Sequence, residues 1–585
     1  MHEFAVWAPR AKQVQLKVGG ALHAMQGPDE RGWWREKVEE AGSGTDYGFL
    51  LDEDTQVYPD PRSVWQPDGV HGMSRVYDQS AFAWTDAEWE AAALASSIHY
   101  EMHVGTFTAE GTLDAAIERL DSLAELGVTH VELMPVAEFA GDRGWGYDGV
   151  ALFAVTENYG GPDALKRFVN ACHARGLAVV LDVVYNHFGP VGNYAGKFAP
   201  YLTNHHRTPW GDAVNFDGPG SDEVRRFFLD NALMWMRDYH MDGLRLDAVH
   251  EIFDRSAVNF LEQLAAEMEV LAATLGRRLA LIAESDLNDP RLVRPREAGG
   301  YGIDAQWSDD FHHALFTVLH TEPGGYYADF GTMEKVAKAL TEVFVYDGGY
   351  SKYRRRHHGR PVQGLSAHHF LGFLQNHDQV GNRAQGERIE QIVGMERAKV
   401  AAGLVLTAPF VPLLFQGEEF AASTPFLYFA GHEEPEMVRA VSEGRKREFA
   451  AFGFGEKEVP DPEARATLER SKLKWEEAGE GRHREMWEWY RALIQLRHEL
   501  GPLNDGDLGH IQVRFDEAKR WMEIERGGTD CGRVRVLANL GGEEVSFAAA
   551  EGFRVELASH VGIGIAAGRI VLPPDTLAVL SGEAE

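Results

Sequence analysis

The sequence predicts an α/β fold, in which a (β/α)₈ barrel is preceded by an N-terminal β-sandwich and followed by a C-terminal β-domain. Three observations predict it. Eight apolar stretches alternate with amphipathic ones in the middle of the chain, strand-like alternation lies on both sides, and 585 residues exceed one compact core. We therefore expect domains at residues 1–90, 91–500 and 501–585.

The N-terminal region is strand-like. The stretch "FAVWAPRAKQVQLKV" alternates between apolar and polar residues, and turns bearing glycine or aspartate follow it. This pattern predicts a small β-sandwich. The next stretch, "YPDPRSVWQPDG" at residues 58–69, holds too many proline and turn residues for a regular element, so we expect it to wrap onto the following domain.

The central region has the pattern of a barrel. Helical stretches such as "TLDAAIERLDSLAEL" lie between most of the apolar ones. Eight such units, with no internal hairpin pattern and no Gly-rich dinucleotide turn after the first strand, favour a closed barrel over an open doubly wound sheet. The predicted barrel strands are Ile98–Val104, His130–Pro135, Ala178–Val184, Gly243–Asp247, Leu279–Ala283, Ile303–Gln306, His369–Leu374 and Val411–Phe415.

Two further segments complete the organisation. Residues 186–222 are too many for a standard βα loop and predict a lid over the barrel mouth. The stretch "HREMWEWYRALIQLRHEL" predicts the closing helix, and "HIQVRF", "WMEIERG" and "GRVRVLANL" then return to strand alternation. We therefore expect a C-terminal β-domain.

The charge balance restricts the partners. The chain carries 57 Lys and Arg against 90 Asp and Glu, a formal net charge of -33, which repels polyphosphates and anionic membranes. We expect a neutral small-molecule substrate, no nucleic-acid partner and no membrane partner. No secretory leader pattern or membrane-length apolar stretch is seen, so we expect a cytoplasmic protein that is a monomer, with a dimer as the alternative.

Cysteine and histidine usage gives no sign of a metal site. Cys172 and Cys531 fall in different predicted domains, so we expect neither a disulfide framework nor a thiolate cluster. The patches "TNHHRTPW", "DDFHHALF" and "RRRHHGR" pair adjacent histidines that point apart on an extended chain, and no HExxH motif accompanies them. We expect no metal and no cofactor.

The octapeptide "GLRLDAVH" at residues 243–250 holds two charges in an apolar strand. Side chains alternate along a strand, so Arg245 and Asp247 share one face. In a cleft, the guanidinium would lower the pKa of Asp247 and keep it ionised, as a carboxylate nucleophile requires. In a core, the same two residues would form a buried ion pair. The octapeptide alone leaves both interpretations open.

Polar residues that end the predicted strands favour the cleft. In a (β/α)₈ barrel, chemistry takes place at the C-terminal ends of the strands. Four strand ends carry acids, amides or imidazoles. One such end could simply begin a solvated loop, but four in one barrel are hard to explain in that way. They are Asp182, Asn186 and His187; Arg245, Asp247 and His250; Glu284; and Asn376, His377 and Asp378.

Converging carboxylates with nearby aromatic residues are typical of glycosidic bond cleavage. Glu284 follows an apolar run that favours its protonated form, so it is the candidate general acid/base, and Asp247 is the candidate nucleophile. Asp378 would bind sugar hydroxyls beside His377, with a simple loop cap as the alternative. Tyr147, next to Trp145, offers a stacking face for a sugar ring.

The stretches "DVVYNH", "GLRLDAVH", "AES" and "QNHD" resemble, in order, the four short regions of the α-amylase superfamily of glycoside hydrolases, and the resemblance runs nearly the whole length. It implies a retaining double displacement with three catalytic groups, the nucleophile Asp247, the acid/base Glu284 and the transition-state stabiliser Asp378. The subsite for the reacting sugar would be lined by Tyr147, His187, Arg245 and His377.

Other stretches narrow the resemblance within the superfamily. "FAVWAPRA" is similar to the N-terminal sandwich of branching, debranching and trehalose-forming members, and "YEMHVGTFTAEGT", "RGWGYDGV" and "AQWSDDFHHALF" are similar to the trehalose-releasing members. This resemblance implies hydrolysis of the α-1,4 bond next to the terminal trehalose unit of maltooligosyltrehalose. Ser285 and Gln416 depart from the residues usual in this group, which we expect to tune rather than abolish activity.

The product-side subsites are expected to include Trp210, Trp307, Asp309 and Asp310. Two alternatives to the hydrolase remain. A branching enzyme would pass the same glycosyl intermediate to a sugar hydroxyl, and a non-catalytic glucan-binding subunit would keep the barrel but lose a carboxylate or gain an anchor. The predicted lid lacks a dense carboxylate cluster, so we expect no structural calcium ion there.

Overall fold

The computed structural model describes residues 1–320, 324–450, 459–527 and 532–582, so Cys531 lies outside the described residues. Within those ranges, no helix is long and apolar enough to span a lipid bilayer.

The N-terminal strands form two small sheets. Strands β1 and β4 pair with each other, and the second sheet has the order β3-β2-β5-β6. Phe4 of the first sheet and Leu16 and Phe49 of the second belong to one hydrophobic cluster, so the sheets share a core. The strands are β1 (His2–Trp7), β2 (Val14–Val18), β3 (Ala21–Ala24), β4 (Trp33–Val38), β5 (Asp46–Leu51) and β6 (Ser74–Arg75).

The segment between β5 and β6, which holds the stretch at residues 58–69, contacts the central region, as its composition predicts. Arg62 donates a hydrogen bond to Asp230 at 2.8 Å. Trp65 donates to Glu157.

The central strands are β7 (His99–Met102), β8 (His130–Leu133), β9 (Ala137–Phe139), β10 (Gly149–Val155), β11 (Ala178–Val183), β12 (Leu202–Thr208), β13 (Gly211–Val214), β14 (Gly243–Leu246), β15 (Ala280–Ala283), β16 (Ala305–Trp307), β17 (Asp347–Ser351), β18 (Arg356–Gly359), β19 (Phe370–Phe373) and β20 (Val411–Phe415). Eight of them close a parallel barrel in the order β7-β8-β11-β14-β15-β16-β19-β20. The predicted barrel and all eight of its predicted strands are confirmed.

In the described part of the central region, three short hairpins were not predicted. Strand β9 pairs with β10, β12 with β13, and β17 with β18. The sequence shows no hairpin pattern there, because strands such as "DGGYS" and "RHHG" are polar or glycine-rich and lack apolar alternation. The hairpin β12–β13 lies in the segment predicted as a lid.

The helices are α1 (Val104–Phe107), α2 (Leu113–Ile117), α3 (Leu120–Leu126), α4 (Gly161–His173), α5 (Ala195–Phe198), α6 (Ser221–Asp238), α7 (Phe260–Leu275), α8 (Asp309–Leu319), α9 (Met333–Glu342), α10 (His377–Gly381), α11 (Ile389–Val393), α12 (Met395–Leu406), α13 (Pro435–Ala450), α14 (Arg465–Ser471) and α15 (Gly481–Glu499). Helix α4 shows why they pack. Its residues Leu165, Phe168, Val169 and Cys172 recur at helical spacing and are buried, so one apolar face covers the barrel.

The C-terminal strands form a five-stranded sheet of order β21-β22-β23-β28-β25 and a three-stranded sheet of order β24-β27-β26. A side chain at Gly403 of α12 would collide with Leu577 of β28, so glycine allows the close approach of this sheet to the barrel helices. The strands are β21 (Ile511–Asp516), β22 (Trp521–Arg526), β23 (Arg533–Asn539), β24 (Val545–Ala548), β25 (Arg554–Ala558), β26 (Ile565–Ala566), β27 (Arg569–Leu572) and β28 (Thr576–Gly582).

Candidate active site

Arg245 joins the acids at the C-terminal ends of three neighbouring barrel strands. Its Nη1 donates to Asp182 Oδ2 and to Asp247 Oδ1, both at 2.8 Å. Its Nη2 lies 3.7 Å from Glu284 Oε2. The guanidinium carbon lies 4.3 Å from the centre of the Trp307 ring. The arginine is buried, but it faces the barrel mouth and contacts both candidate catalytic carboxyls.

Asp247 is held in one orientation. Asn186 Nδ2 donates to Asp247 Oδ2 at 2.8 Å and to its backbone carbonyl at 2.7 Å. Arg245 binds the other carboxylate oxygen. Both oxygens of Asp247 therefore have a donor, and the carboxylate is fixed at the mouth by side chains from β14 and from the loop after β11.

Glu284 is oriented by the backbone that follows Asp247. Ala248 has φ 38° and ψ 54°, the left-handed region that non-glycine residues seldom occupy. In this conformation its N–H donates to Glu284 Oε2 at 2.6 Å. Burial raises the pKa of Glu284, the Arg245 charge opposes this, and the charges of Asp247 and Asp378 add to the rise. The protonated form that a general acid needs is therefore favoured.

A chain of hydrogen bonds connects His377 with the arginine. His377 Nε2 lies 2.9 Å from the Tyr147 hydroxyl, which donates to Asp182 Oδ2 at 2.6 Å. Burial raises the pKa of Asp182 to about 7, with Arg245 opposing the rise. Arg245 binds the same Asp182 oxygen. The predicted residues Tyr147, His377 and Arg245 thus belong to one network.

Glu101, on β7, was missed by the sequence analysis. Its Oε2 accepts the backbone N–H of His377 at 2.9 Å, and its Oε1 bonds His377 Nδ1. Burial would lower the pKa of His377, but the Glu101 carboxylate outweighs burial and raises it to about 9. The only sequence signal was a lone glutamate in the apolar stretch "YEMHVGTF".

Asp378 is the most open of the three candidate acids, with 49% of its side chain exposed. It accepts one hydrogen bond from Asn382 Nδ2 at 3.1 Å and lies 3.7 Å from His377 Nε2. The loop-cap alternative is not supported, because Asn376 caps helix α10 by accepting the N–H of Gln379 at 2.9 Å. The Asp378 carboxylate is left free to meet a ligand.

An open cleft of about 520 Å³ leads away from Asp247. Tyr147, His187, Trp210 and Tyr428 line it. His187 donates through Nε2 to the Tyr147 carbonyl at 3.1 Å, and the Trp210 ring stacks on it at 4.5 Å. Trp210 lies in the turn of hairpin β12–β13 and is 51% exposed, so the predicted lid segment reaches the cleft.

Trp145 does not face this cleft as a free stacking surface. It is buried, its ring stacks on Phe426 at 5.1 Å, and its Nε1 donates to the Leu427 carbonyl at 3.0 Å. Its edge lies against His377, with ring centres 5.6 Å apart. Trp145 therefore supports His377 from behind.

The structure separates the four residues predicted for the product side. Trp210 lies in the cleft beside His187, and Trp307 is buried under Arg245. Asp310 is buried and accepts hydrogen bonds from the backbone of Val345 and Tyr346, so its position does not support substrate contact. Asp309 is the one of the four whose pKa responds to the candidate acids. Burial raises the pKa of Asp309, and the nearby charges of Glu284 and Asp378 raise it further.

The barrel and its mouth can be compared with known proteins. Residues 56–207 match the family described as "Alpha amylase, catalytic domain". The malto-oligosyltrehalose trehalohydrolase of Rhizobium sp. (strain M-11) is 48% identical, over 99% of this chain and 97% of that one. A putative alpha amylase structure from Salmonella typhimurium is 37% identical with a TM-score of 0.90, covering 99% and 97% of the two chains.

A weaker match covers part of the chain. The 1,4-alpha-glucan branching enzyme GlgB of Burkholderia thailandensis is 34% identical over 55% of this chain and 43% of its own length. The barrel with acids at its C-terminal rim, taken with these matches, defines a glycoside hydrolase of the α-amylase type. Within that class, the chain belongs to the malto-oligosyltrehalose trehalohydrolase family.

Proposed function

We propose that the protein hydrolyses the α-1,4 bond next to the terminal trehalose unit of malto-oligosyltrehalose, with retention at the anomeric carbon. The observation that carries the chemistry is the contact of one guanidinium, that of Arg245, with Asp247 and Glu284. The two carboxyls of a retaining pair meet at one glycosidic bond, and the contact of both with one guanidinium brings them to one point of the mouth, as that mechanism requires. The name of the related proteins supports the choice of substrate.

In the first step, Glu284 protonates the oxygen that leaves with trehalose, and Asp247 attacks the anomeric carbon to form a glycosyl ester. The bonds from Asn186 and Arg245 keep the attacking oxygens in place. Asp378 and His377 bind ring hydroxyls, and these bonds strengthen as the ring flattens toward an oxocarbenium ion.

In the second step, the ionised Glu284 takes a proton from water, the water oxygen bonds to the anomeric carbon, and the bond to Asp247 breaks. The products are trehalose and a shortened malto-oligosaccharide. The rest of the glucan lies along the cleft lined by Tyr147, His187, Trp210 and Tyr428. We propose the same domain division as above, with residues 91–500 carrying the chemistry.

The experiment that tests this function uses two substrates. Incubation with malto-oligosyltrehalose should release free trehalose, and the new reducing end should appear first as the α-anomer in an NMR time course. Incubation with amylose tests the rival, because a branching enzyme would pass the glycosyl ester to a sugar hydroxyl and create α-1,6 branches. Branches without trehalose release would reject the hydrolase, and a β-anomeric first product would reject retention.

A further inference from the structure

The segment between barrel strands β16 and β19 is far longer than one barrel helix needs. It holds α8, a 3₁₀ helix at Gly325–Asp329, α9 and the hairpin β17–β18. This segment lies on the Glu284 side of the mouth, because Asp310 at the start of α8 accepts a hydrogen bond at 2.8 Å from Asn288, in the loop that follows Glu284.

The hairpin is fixed to the loop that carries the acid. Arg354 Nη1 donates to Asp286 Oδ2 at 3.0 Å. His358 Nε2 donates to the Asp286 carbonyl at 2.7 Å. Asp286 follows Glu284 by two residues, so the hairpin is bonded to the loop that carries the acid.

The base of the hairpin is fixed to helix α8. Asp310 Oδ2 accepts the N–H groups of Val345 and Tyr346 at 2.7 and 2.8 Å. It also accepts a bond at 2.8 Å from Asn288 Nδ2, in the loop after β15. A buried carboxylate with three donors fixes the relative position of the hairpin, α8 and this loop.

The far end of the hairpin is held by the 3₁₀ helix. Asp329 accepts a bond from the Tyr346 hydroxyl at 2.9 Å, from the Lys352 N–H at 3.1 Å and from the Tyr353 N–H at 3.2 Å. On the same 3₁₀ helix, Tyr326 is 44% exposed. The hydroxyl of the adjacent Tyr327 donates to Gln379 Oε1 at 3.4 Å, and Gln379 directly follows Asp378, so this 3₁₀ helix lies at the mouth.

We propose that Asp286, Asp309, Tyr326 and Arg354 form a leaving-side wall, which ends the cleft beyond Glu284 and limits the leaving group to two sugar rings. Tyr326 contacts the distal ring, and the Asp286–Arg354 pair holds the wall in place. The acid protonates the leaving oxygen, so the leaving sugar lies on the Glu284 side, opposite the open cleft at Trp210. An exposed tyrosine provides a flat face and a hydrogen-bonding hydroxyl for a sugar.

This inference rests on the proposed function. The first test compares Tyr326→Ala with the matched control Tyr350→Ala. Tyr350 lies on hairpin β17–β18, which the 3₁₀ helix of Tyr326 holds, and is 61% exposed, with its ring 5.8 Å from that of His357. The substrates are a malto-oligosyltrehalose and a reducing malto-oligosaccharide with equal numbers of rings.

In Tyr326→Ala we expect KM for malto-oligosyltrehalose to rise about tenfold, the size of one stacked ring contact, with kcat changed less than about threefold. KM for the plain malto-oligosaccharide should change far less, because its distal ring is linked differently. Tyr350→Ala should match the unaltered protein. Equal KM changes for both substrates, or no change, overturn the role of Tyr326.

The second test removes the ion pair from either side, with Arg354→Ala and Asp286→Asn. Both side chains are partly exposed, so we expect both variants to fold, and thermal unfolding checks this. Among the products that carry the trehalose end, the unaltered protein should release only trehalose. The variants should also release longer trehalose-terminated fragments. Release of trehalose alone by either folded variant, or complete loss of activity in both, overturns the wall. If the unaltered protein releases no trehalose, the proposed function itself fails.

Discussion

The two rims of the barrel both bury charged residues, but they satisfy them differently. At the N-terminal rim, Asp242 has two donors on each oxygen. Trp89 and Arg277 donate to Oδ1 at 2.9 and 2.8 Å, and His173 bonds Oδ2 at 2.9 Å, as does the Val179 N–H. Every acceptor site of this carboxylate is used within the protein.

The contrast lies in the carboxylates, because each rim also holds buried nitrogen atoms that make no hydrogen bond to the described residues, such as Arg277 Nε at the N-terminal rim and Arg245 Nε at the C-terminal rim. Within the part of the chain that the structure describes, Asp182 Oδ1 at the C-terminal rim is buried and makes no hydrogen bond, whereas both oxygens of Asp242 are bonded. A buried polar group without a hydrogen bond lowers the stability of the fold, whereas a fully bonded one stabilises it. We therefore expect substitution of the bonded N-terminal carboxylate to lower stability, and substitution of the acids at the C-terminal rim to lower turnover.

The largest effect should come from the candidate catalytic carboxyls. Asp247→Ala and Glu284→Gln should each lower kcat about 10⁴-fold or more, because they remove a reacting group. Thermal unfolding should stay close to that of the unaltered protein. The matched control is Asp212→Asn, an exposed carboxylate on β13. Steady-state kinetics decides, and normal hydrolysis by either purified variant would remove the assignment.

The opposite result is expected at the other rim. Asp242→Asn should lower the free energy of unfolding by about 3 to 5 kcal/mol, as breaking a buried charged network does. The kcat of the folded fraction should change only a few-fold. Denaturant unfolding measures this, with Asp121→Asn at an exposed ion pair as the control. A stable but inactive Asp242→Asn protein would contradict the division between the rims.

Glu101→Gln tests a residue that acts through another. The Glu101 charge raises the pKa of His377 to about 9, so protonated His377 is lost as pH rises through that value. Without the charge, the pKa should fall and the alkaline limb of the pH–kcat profile should move to lower pH. We expect kcat at neutral pH to fall about 10- to 100-fold. Glu110→Gln, at an exposed position, is the control.

An unmoved alkaline limb in Glu101→Gln would mean that the carboxylate only supports the fold. A second sign of a positioning role is the kinetic pattern. Because His377 is expected to bind the reacting sugar most tightly in the transition state, kcat should fall more than KM rises.

The smallest effect concerns the pH dependence of stability at the N-terminal rim. Burial lowers the pKa of His173, but bonds to Asp242 and Asp86 outweigh burial and raise it. Its contribution is therefore complete below the ordinary histidine pKa of about 6.5 and is lost as pH rises through the raised value. His173→Gln should flatten the fall of the unfolding midpoint above neutral pH.

Exposed His205 on β12 provides the control variant, His205→Gln, which should keep the slope of the unaltered protein. Asp86 acts in the opposite direction. Burial would raise its pKa, but His173 and His240 lower it, so its contribution is lost as pH falls. A slope unchanged by His173→Gln would show that this network does not titrate with folding.

The barrel was predictable because its strands are mainly apolar runs at regular spacing, which is the usual composition of parallel strands buried on both faces. The hairpin β17–β18 was not, since its residues are held by Asp286, Asp310 and Asp329, and such long-range bonds leave no local pattern. Asp247 and Glu284 were likewise predicted as site residues from their positions at the ends of strands.

Strand-end position could not tell which way a side chain points. Asp309 and Asp310 are adjacent, but one faces the mouth and the other braces a hairpin. Glu101 was missed because its partner, His377, is 276 residues away along the chain. The type of reaction was predictable from the residue types, whereas the different roles of adjacent residues could be assigned only from the structure.

The left-handed turn at Ala248 makes the geometry of the two acids a property of the backbone. Besides the Ala248 bond to the Glu284 side chain, the Val249 N–H donates to the Glu284 carbonyl at 3.0 Å, and the Glu284 N–H donates to Leu246 at 3.0 Å. Inserting or deleting one residue here would put the two strands out of register. Efforts to engineer a new substrate range should therefore vary the outer hairpins and leave this junction unaltered.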